Sequence, residues 1–76
     1  MMTRAQETAA VKAAVSAAGY KVRNVEHGRG TAYCWIHVNL AQPAPYPMLL
    51  EVEQIAAQAA GRETWGNNCI GVSGTI

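Results

Sequence analysis

Ala32-Tyr33-Cys34-Trp35-Ile36-His37-Val38-Asn39-Leu40 alternates without a break, with Cys34, Ile36, Val38 and Leu40 on one side and Tyr33, Trp35, His37 and Asn39 on the other. A period of two places successive side chains on opposite faces of an extended chain, so residues 32–40 predict a half-buried strand. Just upstream, Tyr20-Lys21-Val22-Arg23 has the same alternation, with Tyr20 and Val22 inward and Lys21 and Arg23 outward. Val25 falls out of phase, and a bulge near Asn24 restores it. His27-Gly28-Arg29-Gly30 lies between the two runs and reads as a turn, its glycines able to take positive φ. The two strands then form an antiparallel hairpin.

Helical spacing flanks that hairpin on both sides. Val11, Ala14, Val15 and Ala18 recur at i, i+3, i+4 and i+7 behind Thr3-Arg4-Ala5-Gln6, whose ends are spaced as a capping box. This predicts a first helix over 4–18, ended by Gly19 with Tyr20 packing back on Val15. Pro43, Pro45 and Pro47 predict an extended connector. Met48, Val52, Ile55, Ala56 and Ala59 predict a second helix over 48–60, stopped at Gly61. Gly66-Asn67-Asn68 reads as a turn, and residues 69–73 as a short last strand. The order α-β-β-α-β gives an α+β fold in two layers, with two helices packed on one face of a small, mainly antiparallel three-stranded sheet, and 1–76 as a single compact domain.

Composition sets limits on that domain. Half of the 76 residues are hydrophobic, yet fourteen are alanine, only three are leucine and none is phenylalanine, so the core must be thin. Six Lys and Arg against five Glu, for a net charge of +1, exclude a disordered polyelectrolyte, a strongly basic nucleic-acid binder and an acidic DNA mimic. Charges at Arg4 and Glu7 interrupt the opening where a signal peptide needs apolar residues, and no run approaches the length of a membrane span, so a soluble cytoplasmic protein is expected. Two cysteines are fewer than disulfide-dependent secreted domains carry, and Cys34 and Cys69 read as reduced, buried thiols.

If Cys34, Ile36 and Val38 face the helices, the other side of the sheet is open and displays Tyr33, Trp35 and His37 beside Lys21 and Arg23. Exposed rings flanked by cations stack on bases or anchor a protein partner. The competing reading makes Trp35 part of a second small core, covered by the segment that contains Trp65. Arg29, between two glycines at the hairpin tip, could donate to a phosphate or carboxylate, although such a tip is more commonly a solvated turn. A zinc site on Cys34 and His37 is disfavoured, because positions three apart on a strand point to opposite faces, and no cofactor is expected. The chain has no Asp, its Glu51, Glu53 and Glu63 lie on or just after a solvent-facing helix side, and no nucleotide or metalloprotease motif occurs. No enzyme activity is expected.

Ala18-Gly19-Tyr20-Lys21-Val22-Arg23, followed by His27-Gly28-Arg29-Gly30-Thr31-Ala32 and Trp35-Ile36, resembles the helix-and-hairpin opening of small α+β proteins encoded by phages and other mobile elements, among which anti-CRISPR proteins are found. The resemblance covers residues 9–40. It implies a non-enzymatic inhibitor in the cytoplasm of a bacterial host, binding a CRISPR effector complex and obstructing nucleic-acid binding or nuclease recruitment. Since many such inhibitors are acidic and this chain is not, it would act by shape and anchors, with Trp35, Tyr33 and Arg29 as candidates. A nucleic-acid-binding module is the rival class, with Tyr33 and Trp35 stacking bases and Lys21, Arg23 and Arg29 meeting phosphates. Residues 1–30 carry a net +3 and residues 31–76 a net −2, and six cations in all predict modest nucleic-acid affinity unaided. A domain that forms a homodimer through the aromatic face is the third reading.

Overall fold

The computed structural model describes residues 3–28, 35–64 and 68–74. In chain order its elements are α1 (Arg4–Ala17), β1 (Val22–His27), β2 (Ile36–Leu40), α2 (Tyr46–Ala59) and β3 (Ile70–Ser73). They make the small α+β fold expected from the α-β-β-α-β order.

The first helix begins where the capping box places it. The Thr3 hydroxyl accepts from the Gln6 N–H at 3.1 Å, and the Gln6 side chain accepts from the Thr3 N–H at 2.8 Å, satisfying two amides that the first turn would otherwise leave open. At the other end Gly19 takes φ +97°, and Tyr20 N–H donates to the Val15 carbonyl at 3.3 Å. That bond closes a Schellman turn. The second helix starts at Tyr46, two residues before the expected Met48. Pro47 lies inside the first turn, where a missing N–H costs nothing and a fixed φ suits the helix. The Pro45 carbonyl accepts from Met48 and Leu49 at 2.9 and 3.1 Å, so the proline run is half connector and half helix start. Gly61, at φ +71°, ends α2 in a second Schellman turn, with Arg62 N–H on the Ala57 carbonyl at 2.8 Å.

Among the described residues the sheet has the order β1-β2-β3. β1 and β2 pair antiparallel, with Val25 opposite Val38, Glu26 opposite His37 and His27 opposite Ile36. The register shifts between Val22 and Asn24, which is the bulge the sequence called for. It has a consequence for His27. With Val22 and Val25 both inward, His27 continues the inward series as the last residue of β1, rather than belonging to a turn. β3 joins the other side of β2 in parallel, Ile36 against Ile70 and Val38 against Val72. Parallel pairing follows because α2 carries the chain back across the sheet before β3 begins.

The helices share one core over one face of the sheet: Val11 and Val15 from α1, Ile36, Val38 and Leu40 from β2, Val52, Ala56 and Ala57 from α2, and Ile70 from β3. Alanines on α2 let it lie close, but they bury little apolar area each, so polar fasteners supplement the packing. Arg62, just past α2, donates to Glu7 of α1 through Nε at 3.1 Å and Nη2 at 3.0 Å. Its Nη1 donates to the Asn68 carbonyl at 2.9 Å. Asn68, itself buried, donates to the Glu63 carbonyl at 3.0 Å and accepts from Ile70 N–H at 3.1 Å. One guanidinium thus ties the start of α1 to the end of α2 and the entry of β3. On the same first turns of α1, His27 Nε2 sits against the Thr8 hydroxyl and 3.0 Å from the Arg4 carbonyl, while Arg4 Nη2 donates to the Gly28 carbonyl at 3.0 Å.

Candidate functional site

The face of the sheet away from the helices is built by alternation. On β2, burial of Ile36, Val38 and Leu40 leaves exposed His37 and half-buried Asn39 on the other side. The bulge on β1 sends Asn24 and Glu26 to that side, and the parallel register brings Gly71 and Ser73 of β3 level with His37 and Asn39. Two cross-strand rows result. In one, Ser73 Oγ donates to Asn39 Oδ1 and Asn39 Nδ2 donates to Asn24 Oδ1, both at 2.6 Å, so a polar ladder crosses all three strands. In the other, Glu26, His37 and Gly71 stand side by side.

Trp35, one residue before β2, is held by its carbonyl accepting from Gly28 N–H at 3.0 Å. Its ring stacks on His37, with centroids 5.9 Å apart and planes within 16°. Gly71 leaves room for the imidazole: a Cβ there would lie 3.1 Å from His37 Nδ1. Trp35 remains half-buried and His37 exposed, so the pair offers a ring surface to solvent, bordered by the Asn39 ladder. Arg23, Asn24, Glu26, Asn39 and Ser73 line an adjoining recess of about 380 Å³.

Of the residues singled out from sequence, Trp35 and His37 are brought together, while Arg23 lies at the bulge, by Asn39 and Ser73 at the other end of the strand pair. Lys21 is exposed but precedes β1, with its N–H bound to Gln42 Oε1 at 2.9 Å. Tyr33, Cys34, Arg29 and the proposed Trp65 cover lie outside the described residues. The expected basic character of the face is altered by the bulge: its outward β1 positions are Asn24 and Glu26, which put a carboxylate on the face where cations were expected. Cys69, expected to be buried, is half-buried and takes φ +59° at the entry to β3. Asn39 stands on the face where its alternation with Trp35 and His37 put it; Glu26 and Ser73 were not singled out from sequence, although strict alternation past a bulge at Asn24 would have placed Glu26 there. Among the described residues no three His, Cys, Asp or Glu side chains converge as a metal site requires. No protein-family model, curated protein or solved structure matches the chain.

Proposed function

We propose that this chain is a non-enzymatic binding protein that docks a protein partner on the open face of its sheet. The observation that carries the reading is the Trp35–His37 stack, solvent-facing over Gly71 and framed by side-chain amides. A half-exposed tryptophan with its rotamer fixed by a neighbour offers a large contact area at small entropic cost, which is how central anchors of protein interfaces work. Balanced charge around it favours a protein over nucleic acid: Glu26 stands beside His37 where a phosphate-tracking groove would need another cation. The resemblance of residues 9–40 to small mobile-element proteins supplies the partner class, a CRISPR effector complex in a bacterial cytoplasm, whose nucleic-acid binding or nuclease recruitment this domain would obstruct.

The test is a pair of titrations with the intact chain. One is against purified effector complexes, read by loss of target-DNA binding or cleavage; the other is against a single-stranded oligonucleotide at physiological salt. The reading expects inhibition in the first and weak binding in the second. Tight oligonucleotide binding with a steep salt dependence would reassign the face to nucleic acid, and self-association through Trp35 would reassign it to a homodimer.

A further inference from the structure

β3 is an edge strand, and its outer edge is flanked by an apolar stripe that the core does not use. Ile36 N–H donates to the Cys69 carbonyl at 2.9 Å, and with Ile36 level with Ile70 this turns the backbone groups of Cys69, Gly71 and Ser73 toward β2. Those of Ile70 and Val72 point outward. The Ile70 N–H is taken by Asn68 Oδ1 at 3.1 Å, which leaves the Ile70 carbonyl and both Val72 groups along the outer edge, with no further strand beside them among the described residues. Unpaired strand groups of this kind are a template for one more strand.

Helix α2 overhangs that edge. Tyr46, Leu49, Leu50 and Glu53 occupy i, i+3, i+4 and i+7 on its first two turns, beside the core positions Val52 and Ala56. With Val72 they line a recess of about 250 Å³. Tyr46 is 71% exposed, the large apolar side chain most open to solvent among those described, and Leu49 and Leu50 are half-buried. A strand added to β3 would lay alternate side chains into this recess, as β3 itself lays Ile70 and Val72 under α2.

We infer that the β3 edge and the overhanging stripe of α2 form a second docking site, separate from the Trp35 face, which takes an extended peptide segment of another protein by strand addition. Charge decides between occupants. Residues 41–61 contain no Lys or Arg, while α2 carries Glu51 and Glu53, the latter in the recess. Pairing of this edge with a second copy of itself would bring acidic stripes together. A foreign segment with apolar residues at alternate positions and a Lys or Arg placed to reach Glu53 satisfies both the backbone groups and the charge. Main-chain bonds would supply affinity, and the Tyr46-Leu49-Leu50 recess would supply the choice of side chain.

The test uses the full chain, labelled with nitrogen-15, and a synthetic peptide of about nine residues alternating valine with threonine and carrying one central lysine. The expected result is a shift of the Val72 amide on titration, with its exchange slowed about tenfold or more when the probe is bound. The same peptide N-methylated on alternate amides, which leaves the protein untouched, should bind about tenfold more weakly or not at all, as should a version with glutamate for lysine. Leu49→Asp should act in the same direction. Absence of binding at millimolar probe, shifts confined to the Trp35 face, or binding indifferent to backbone methylation would each overturn the inference. Sedimentation showing a dimer that Leu49→Asp dissolves would overturn it in favour of a second copy.

Discussion

Replacing Arg62 with methionine keeps the apolar stem and removes every bond the guanidinium makes. Three of those bonds have good geometry: two to Glu7 Oε2, at 3.1 and 3.0 Å, and one to the Asn68 carbonyl at 2.9 Å. Exposed ion pairs contribute about 0 to 1 kcal/mol, and breaking a fully buried pair costs about 3 to 5 kcal/mol. Here Arg62 keeps 20% and Glu7 16% of side-chain exposure, which places the pair between those limits. Glu7 is left partly desolvated without its partner, and the loop entering β3 loses a donor, so a loss of about 2 to 3 kcal/mol is expected. Total stability for a domain of this size is on the order of 4 to 11 kcal/mol, so the loss is a large share of it. Urea unfolding followed by far-ultraviolet circular dichroism measures it, and a double-mutant cycle with Glu7→Gln should return a coupling of about 1 kcal/mol. A change under about 0.5 kcal/mol for Arg62→Met, with no coupling to Glu7, would refute the idea that this guanidinium compensates for an alanine-rich core.

Gly74→Ala should destabilise by about 1 to 3 kcal/mol in the same assay, since the new Cβ would lie 2.6 Å from Ala44 Cβ and 2.8 Å from the Gln42 carbonyl, neither of which can swing aside. Gly71→Ala meets only the exposed His37 ring, so it should leave the melting temperature nearly unchanged while shifting the His37 and Trp35 ring resonances. Hydrogen exchange should find the slowest amides at Ile36 and Val38, in the central strand; fast exchange there would contradict the sheet order. The Tyr20 hydroxyl is hydrogen-bonded to Glu51, whose carboxylate, aided by burial, holds the Tyr20 pKa above its ordinary 10.0. A pKa raised on folding stabilises fully below the unfolded value and is lost as pH rises through the folded one, so this contribution should persist to about pH 10 and fade above it. Ultraviolet titration should show Tyr20 ionising above its ordinary value, and Glu51→Gln should bring it back down.

Element order, caps and the inward face of β2 were all legible in the sequence, because each rests on a short-range rule: the Thr3–Gln6 spacing, glycines at 19 and 61, and unbroken alternation from Ile36 to Leu40. The bulge at Asn24 was legible from one misplaced valine. Its consequences required carrying the shifted phase to the end of the strand, where it turns His27 inward onto Thr8 and sets Glu26 beside His37. Pro47 misled by type, since a proline ends a helix interior but opens a first turn. The parallel seating of β3 and the reach of Arg62 to Glu7, 55 residues away in sequence, depend on how α2 crosses the sheet, and no local pattern encodes that. The apolar stripe Tyr46-Leu49-Leu50 merges in sequence with the core stripe beside it, and it separates only once the edge of β3 shows where the sheet stops.

Calorimetric titration of a purified CRISPR effector complex with the wild-type chain and with Trp35→Ala decides whether the Trp35–His37 stack anchors a protein partner, as proposed. Trp35→Ala should weaken binding by about 2 kcal/mol or more, roughly 30-fold in affinity, with the melting temperature of the domain almost unchanged, because the ring stacks on an exposed imidazole and not in the shared core. Equal affinity for the two chains would contradict it, and so would a Trp35→Ala domain that no longer folds, which would place the ring in the core instead.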